Sequence, residues 1–216
     1  MKAILFDCDG LMFNTEFYAI NMWKQVAKKY NFRLPDDFFK KITGSGGKKV
    51  EEYFQTLDGI DPIRSIVSKK RFDLEYWTSF KKDELNKKGL FELYSYLKEN
   101  KYKIAICSSS NKEYILSLLS TVSIPLEFDT IISGDMVKNA KPAPDIFLEA
   151  ARKLNVTFEE CLVLEDSKQG ILAARNAGMH SCWIKDMIEA DEEMQENIEY
   201  TASNLQEVIN LLKEGI

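Results

Sequence analysis

Ala3-Ile4-Leu5-Phe6-Asp7-Cys8-Asp9-Gly10 is an apolar run of four residues that breaks abruptly into two acids and a glycine. A continuous apolar run this short reads as a strand buried on both faces, as in parallel sheets covered by helices. Working outward, similar runs recur at Ile104-Ala105-Ile106-Cys107, Ile131-Ile132, Leu162-Val163-Leu164 and, more weakly, Cys182-Trp183-Ile184. Between them lie helical patterns. Residues 89–99 carry Leu90, Leu93, Tyr94 and Leu97 on one face, residues 112–121 carry Ile115, Leu118 and Leu119, and residues 144–154 carry Ile146, Phe147, Ala150 and Leu154. A further helix after residue 167 stops at Ala177-Gly178, with glycine where helices commonly end. Alternating strand and helix predict an α/β fold with a parallel sheet between helical layers.

Residues 15–88 break that rhythm, since their periodicity is helical throughout. Phe17, Ile20, Trp23, Ala27 and Tyr30 form one expected stripe. A second helix is expected to open at Asp61-Pro62, an N-cap followed by proline in the first turn, and to run through Ile63, Val67, Leu74 and Trp77. The segment reads as a small helical domain inserted after the first strand.

The chain has 216 residues, 45% hydrophobic, with a net charge of -5. A net acidic chain is a poor general binder of nucleic acid, whose phosphates attract basic surfaces. The balance is uneven: residues 15–88 hold 16 Lys and Arg against 11 Asp and Glu, and the remainder 13 against 23. A basic segment beside an acidic one suits an anionic substrate brought to a metal site. Lys69-Lys70-Arg71, Lys81-Lys82 and Lys87-Lys88 read as solvated helix faces. The four cysteines have no metal-ligand spacing and sit in or beside apolar runs, where the thiol behaves as a small hydrophobe. The first apolar run stops at Asp7, too soon for a secretory leader, and no stretch reaches the ~18 apolar residues of a membrane span. No membrane association and a reducing cytoplasm are the expectations.

In open parallel sheets ligands bind beyond the carboxyl ends of the strands. The apolar runs give way in turn to Asp7-Cys8-Asp9-Gly10, Ser108-Ser109-Ser110-Asn111, a loop carrying Lys141-Pro142, and Glu165-Asp166-Ser167. Taken singly these are turns and helix caps. Together they place up to four carboxylates on one edge. Two such charges about 5 Å apart repel by roughly 3 kcal/mol at an effective dielectric of about 20. A hard dication with oxygen ligands offsets this, and Mg²⁺ takes a few carboxylates plus a substrate phosphate. Lys141 adds a second positive charge, while Ser108 and the amides opening the next helix offer donors to phosphate oxygens.

Phe6-Asp7-Cys8-Asp9-Gly10-Leu11, Ser108, Lys141-Pro142 and Glu165-Asp166 together resemble the four motifs of the haloacid dehalogenase superfamily. Ala140-Lys141-Pro142-Ala143-Pro144-Asp145, Leu164-Glu165-Asp166-Ser167 and the helical insert are similar to its β-phosphoglucomutase-like subfamily. The resemblance implies a Rossmann-like core over residues 1–14 and 89–216 and a helical cap over 15–88. It implies a phosphatase of small phosphorylated metabolites, sugar phosphates foremost, working through an aspartyl-phosphate. Asp7 would be the nucleophile and Asp9 the acid and base. Asp7, the Asp9 carbonyl and Asp166 would hold Mg²⁺, with Glu165 as ligand or as their support. Ser108, Ser109 and Lys141 would grip phosphate, with Lys48 or Lys49 touching the rest of the substrate. Asn14 stands where the family usually has aspartate. Ala19 stands where the mutase branch has a cap histidine, which leaves a phosphosugar mutase as the alternative.

Other readings fit less well. Gly44-Ser45-Gly46-Gly47-Lys48-Lys49 imitates a phosphate loop, but Ile42 replaces its first glycine and no strand precedes it, so a turn is expected. With His180 as the only histidine and no nucleophile elbow, a serine-hydrolase triad is not expected. A dehalogenase would need neither Asp9 nor a metal. A phospho-acceptor receiver module places its aspartate deeper in the chain and has no insert.

Overall fold

The computed structural model describes residues 1–43 and 47–216. Strand β1 (Ala3–Phe6) is followed by five helices, α1 (Thr15–Lys29), α2 (Phe38–Ile42), α3 (Gly47–Gln55), α4 (Ile60–Arg71) and α5 (Leu74–Thr78). Strands and helices then alternate: α6 (Leu90–Glu99), β2 (Lys103–Ser108), α7 (Lys112–Leu119), β3 (Thr130–Ser133), α8 (Asp145–Leu154), β4 (Cys161–Glu165), α9 (Lys168–Asn176) and β5 (His180–Ile184). The chain closes with α10 (Glu192–Gln195), β6 (Tyr200–Ala202) and α11 (Leu205–Lys213). The sheet is parallel throughout, in the order β3-β2-β1-β4-β5-β6. Strand order therefore reverses beside β1, where open α/β sheets bind their ligands.

All four residues of β1 are buried. Their side chains alternate between two apolar layers, as a two-residue period requires. Ile4 and Phe6 face one layer with Ile106 and Leu164, beneath α6, α7 and α11; Ala3 and Leu5 face the other with Cys107 and Val163, beneath α8 and α9. The expected α/β sheet with a helical insert is the architecture observed. The sixth strand was not legible, because Tyr200–Ala202 is three residues long and only Ala202 is buried. Among the described residues no helix is long and apolar enough to cross a membrane.

The insert departs from expectation in three places, and the first is that the helix expected to run through Leu74 and Trp77 stops at Arg71, leaving those two residues on α5. Helix α4 begins at Ile60, with Gly59 as its N-cap at φ 76°, so Asp61 lies inside the first turn and is not the cap. On α1 the buried arc is Ala19, Ile20, Met22, Trp23, Val26 and Ala27. Phe17 falls outside that arc and Tyr30 past the helix end, and both are exposed. Asn14 is the N-cap of α1 but makes no capping bond through its side chain. Its backbone N–H donates to Leu85 O at 2.7 Å, and Lys87 N–H donates to Met12 O at 2.9 Å. The chain thus enters and leaves the insert through two segments laid side by side.

Trp23 packs edge-on against Phe38 at 4.9 Å and stacks with Phe54 at 5.7 Å, forming the centre of the insert. Its last helix, α5, rests on α7 of the sheet layer through Trp77, which is fully buried and meets the Tyr114 ring at 5.8 Å and 87°. One apolar cluster therefore runs from the sheet into the insert. Truncating Trp77 to alanine opens a cavity at this junction and is expected to cost about 3–5 kcal/mol of stability. Urea denaturation followed by circular dichroism measures it, and a loss below about 1 kcal/mol would refute the junction's role.

Candidate active site

The register sets Phe6 level with Ile106 and Leu164, so the next residues of all three strands emerge together at the carboxyl edge. Asp7 leaves β1, Ser108 ends β2, and Glu165 ends β4 with Asp166 next. Lys141 arrives from the loop between β3 and α8. Its ammonium has three hydrogens to place, and it donates to Asp7 Oδ1 at 2.5 Å, Glu165 Oε1 at 2.5 Å and Cys107 O at 2.9 Å.

Glu165 is fully buried. Its second oxygen accepts from the Ser167 backbone N–H at 3.1 Å and the Ser167 hydroxyl at 2.9 Å. A Cβ at Gly170, in the first turn of α9, would lie 1.8 Å from Glu165 Cδ, so only glycine leaves room for the acid. Asp166 has a matching requirement at Gly10, where φ is 76° and a Cβ would lie 2.3 Å from Asp166 Oδ2. Two glycines on different elements thus make space for two adjacent acids.

Carboxylate oxygens of Asp7, Glu165 and Asp166 come within 4.8 Å of one another. Burial, then the Glu165 charge, pushes the Asp7 carboxyl well above its usual 3.8 despite Lys141. Withdrawal from water, then the charges of Glu165 and Asp7, does the same to Asp166. For Lys141 burial works against the charge, but Asp7 and Glu165 more than offset it and hold the ammonium above its usual value. A cluster of hard oxygen donors with one cation among three acids fits a further small, hard cation such as Mg²⁺.

Asp9 has different surroundings. Oδ1 accepts from the Thr15 hydroxyl at 2.9 Å and the Tyr114 hydroxyl at 2.9 Å; Oδ2 accepts from the Ser110 hydroxyl at 2.7 Å. Ser108 Oγ stands 3.5 Å from Oδ2 and accepts from Ser110 N–H at 3.1 Å. These groups open on a cavity of 410 Å³ lined by Asp7, Asp9, Ser108, Ser109, Ser110, Lys141 and Asp166 from the sheet edge. The insert supplies Glu16, Ile42, Thr43 and Arg71. Arg71, expected on a solvated face, instead forms an ion pair with Glu16 at the cavity wall.

The structure thus brings together Asp7, Asp9, Ser108, Ser109, Lys141, Glu165 and Asp166. Lys49 lines the adjoining 590 Å³ cavity, which shares Thr43, Gln169, Met187 and Ile188 with the first. The Gly44-Ser45-Gly46 stretch and the Lys48 side chain lie outside the described residues. Sequence reasoning passed over Thr15, Glu16, Arg71, Ser110, Tyr114 and Gly170. Ser110 was within reach, being two residues beyond Ser108 at the same strand end; the others depend on tertiary contacts that no spacing encodes.

Comparison with known proteins agrees with this geometry. The family model described as haloacid dehalogenase-like hydrolase matches residues 4–184. The phosphorylated carbohydrates phosphatase of Thermotoga maritima is 29% identical, over 99% of this chain and 99% of that protein. The β-phosphoglucomutase of Bacillus subtilis is 28% identical, over 96% of this chain and 95% of that one. Among solved structures, CbbY of Rhodobacter sphaeroides in complex with phosphate superposes with a TM-score of 0.75 at 25% identity, covering 96% of each chain.

The raised Asp166 carboxyl yields a pH prediction for the metal-free protein. A carboxyl whose folded pKa exceeds its unfolded value contributes its full stability below the unfolded value and loses it as pH rises through the folded one. In chelator, Asp166→Asn is therefore expected to melt higher than wild type at pH 8 and to match it near pH 4, the ordinary carboxylate range. Thermal unfolding across that range checks it; a variant less stable at pH 8 would contradict the electrostatic account.

Proposed function

Since the chain belongs to the haloacid dehalogenase-like hydrolase family, we propose that it is a Mg²⁺-dependent phosphatase of small phosphorylated metabolites, sugar phosphates foremost. The observation that carries this is the contrast between two carboxylates two residues apart. Asp7 sits among charges, beside Lys141 and two further acids, whereas Asp9 sits among hydroxyls. Separate environments give separate roles to paired acids.

Asp7 attacks phosphorus; a bond forms between its carboxylate oxygen and phosphorus while the ester oxygen leaves with a proton from Asp9. Water then attacks the aspartyl-phosphate, giving its proton to Asp9, and the Asp7–phosphorus bond breaks to release phosphate. Ser108 would donate to one phosphoryl oxygen, and Lys141 would turn the N–H it gives Asp7 to another as the aspartate attacks, with Ser109 at the rim; such positioning supplies most of the catalysis in phosphoryl transfer. Bound by Asp7, the Asp9 carbonyl and Asp166, Mg²⁺ would neutralise charge on the transferring group. Glu165, with both oxygens already engaged, orients Lys141 and the β4 end.

We read residues 15–88 as a cap over a core of 1–14 and 89–216, because Glu16, Ile42, Thr43 and Arg71 wall the cavity. Lys48 or Lys49 would touch the rest of the substrate, and Lys49 lines the adjoining cavity. Hydrolysis is favoured over the mutase alternative by Ala19, which is buried and offers no donor to couple closure to Asp9. The four free cysteines are all buried, which suits a reducing cytoplasm.

Asp7→Asn is expected to abolish phosphate release with the fold retained, since an amide is a poor nucleophile. Wild-type activity should vanish in chelator and return with Mg²⁺. A panel of sugar phosphates, with β-glucose 1-phosphate included, tests both points by following free phosphate and isomeric sugars together. An active Asp7→Asn variant would sink the covalent mechanism, and isomer formation outrunning phosphate release would establish the mutase instead.

A further inference from the structure

Tyr114 is the one aromatic side chain that hydrogen-bonds to the acid pair among the described residues, and the phosphatase reading leaves it without a task. It lies in the first turn of α7, where Asn111 Oδ1 accepts from its backbone N–H at 2.9 Å and fixes the start of the helix. The residue is 1% exposed, its ring held edge-on by Trp77 at 5.8 Å and by Phe72 at 6.4 Å, both from the insert. Its hydroxyl donates to Asp9 Oδ1 at 2.9 Å. We propose that Tyr114 is a positioning residue for Asp9, and that it ties the aim of this acid to the seating of α5 on α7.

The other partners of Asp9 are hydroxyls on short side chains: Thr15, which also accepts from the Gly10 N–H at 3.2 Å, Ser110, and Ser108 at 3.5 Å. A phenol differs. Its oxygen moves only with the ring, and this ring is locked between helices. An ionised carboxylate offers only acceptors, so in this contact the phenol O–H is the donor. Thr15 and Tyr114 both donate to Oδ1, and of the two only the phenol is carried by an aromatic ring wedged against the insert; with both in place the carboxyl plane is held, and with it which oxygen faces a leaving group. The ring contacts on Trp77 and Phe72 make that aim depend on the insert being seated.

This role rests on the phosphatase reading, with Asp9 as general acid, and predicts a dependence on leaving group. An alkyl ester needs its leaving oxygen protonated; a p-nitrophenyl ester does not. For Tyr114→Phe, kcat/KM on glucose 6-phosphate should fall roughly tenfold, while kcat/KM on p-nitrophenyl phosphate stays within about twofold. Because kcat/KM reports only the steps through phosphoryl transfer to Asp7, hydrolysis of the intermediate does not blur the comparison. In an Asp9→Asn background the same substitution should add nothing. Equal losses on both esters, no loss on either, or an undiminished effect without Asp9 would each overturn the proposal. Proton NMR of the metal-free wild type supplies an arm independent of turnover: a hydrogen-bonded hydroxyl signal is expected and should disappear in Tyr114→Phe. Its absence from wild type overturns the anchor whatever the kinetics. Failure of the phosphatase reading is distinguishable, since wild type would then release phosphate from neither ester while the hydroxyl signal persisted.

Discussion

The ammonium of Lys141 is the constraint on which the site depends. Three acids converge on one sheet edge, two of them buried, and each would repel the others across a poorly screened interior. By spending all three hydrogens on Asp7, Glu165 and the Cys107 carbonyl, Lys141 ties β1, β2 and β4 together at their carboxyl ends. The lysine comes from none of these strands. Its arrival through the loop before α8 means that the connection after β3 must be in place before Asp7 and Glu165 can share a cation. Removing the lysine would leave Asp7 and Glu165 without their shared cation, which is the costly way to break a buried ionic group.

Around this ionic centre the molecule separates two electrostatic regimes within three residues of chain. Asp7 faces cationic and anionic neighbours; Asp9 faces neutral hydroxyls. Just past Asp9, Gly10 takes a positive φ and leaves room for Asp166. Gly170 does the same service for Glu165 from the opposite side. The sheet edge therefore supplies charge, and the helical insert supplies enclosure, with the Arg71–Glu16 pair and Thr43 closing the cavity from above.

Much of this was legible in the chain. The apolar runs gave five strands because a strand buried on both faces has no polar positions to confuse the pattern. The acids, serine and lysine stood out because each comes after such a run. What escaped detection shares one property, in that it depends on contacts between distant segments. Gly170 looked like an ordinary helix residue, and its constraint exists only because Glu165 folds back over α9. Arg71 sat in a run of three cations that looked solvated, yet it turns to Glu16 across the insert. Tyr114 read as one more position on α7, since nothing local reveals that its hydroxyl reaches Asp9. Asp61 looked like a cap because Pro62 came next, but Gly59 starts the helix earlier by taking up a left-handed conformation.

The central place of β1 in the sheet has a consequence for how the protein is made. Ala3 pairs with Lys103 on one side and with Cys161 on the other. β1 is thus a strand whose neighbours are synthesised much later, with the whole insert interposed. Its four apolar residues remain without a completed sheet until β4 has emerged, while the helices of the insert, whose contacts with one another are local, can form during the wait. A chain that stalls before β4 has emerged leaves one edge of this hydrophobic strand unpaired, the kind of segment that chaperones shield during synthesis.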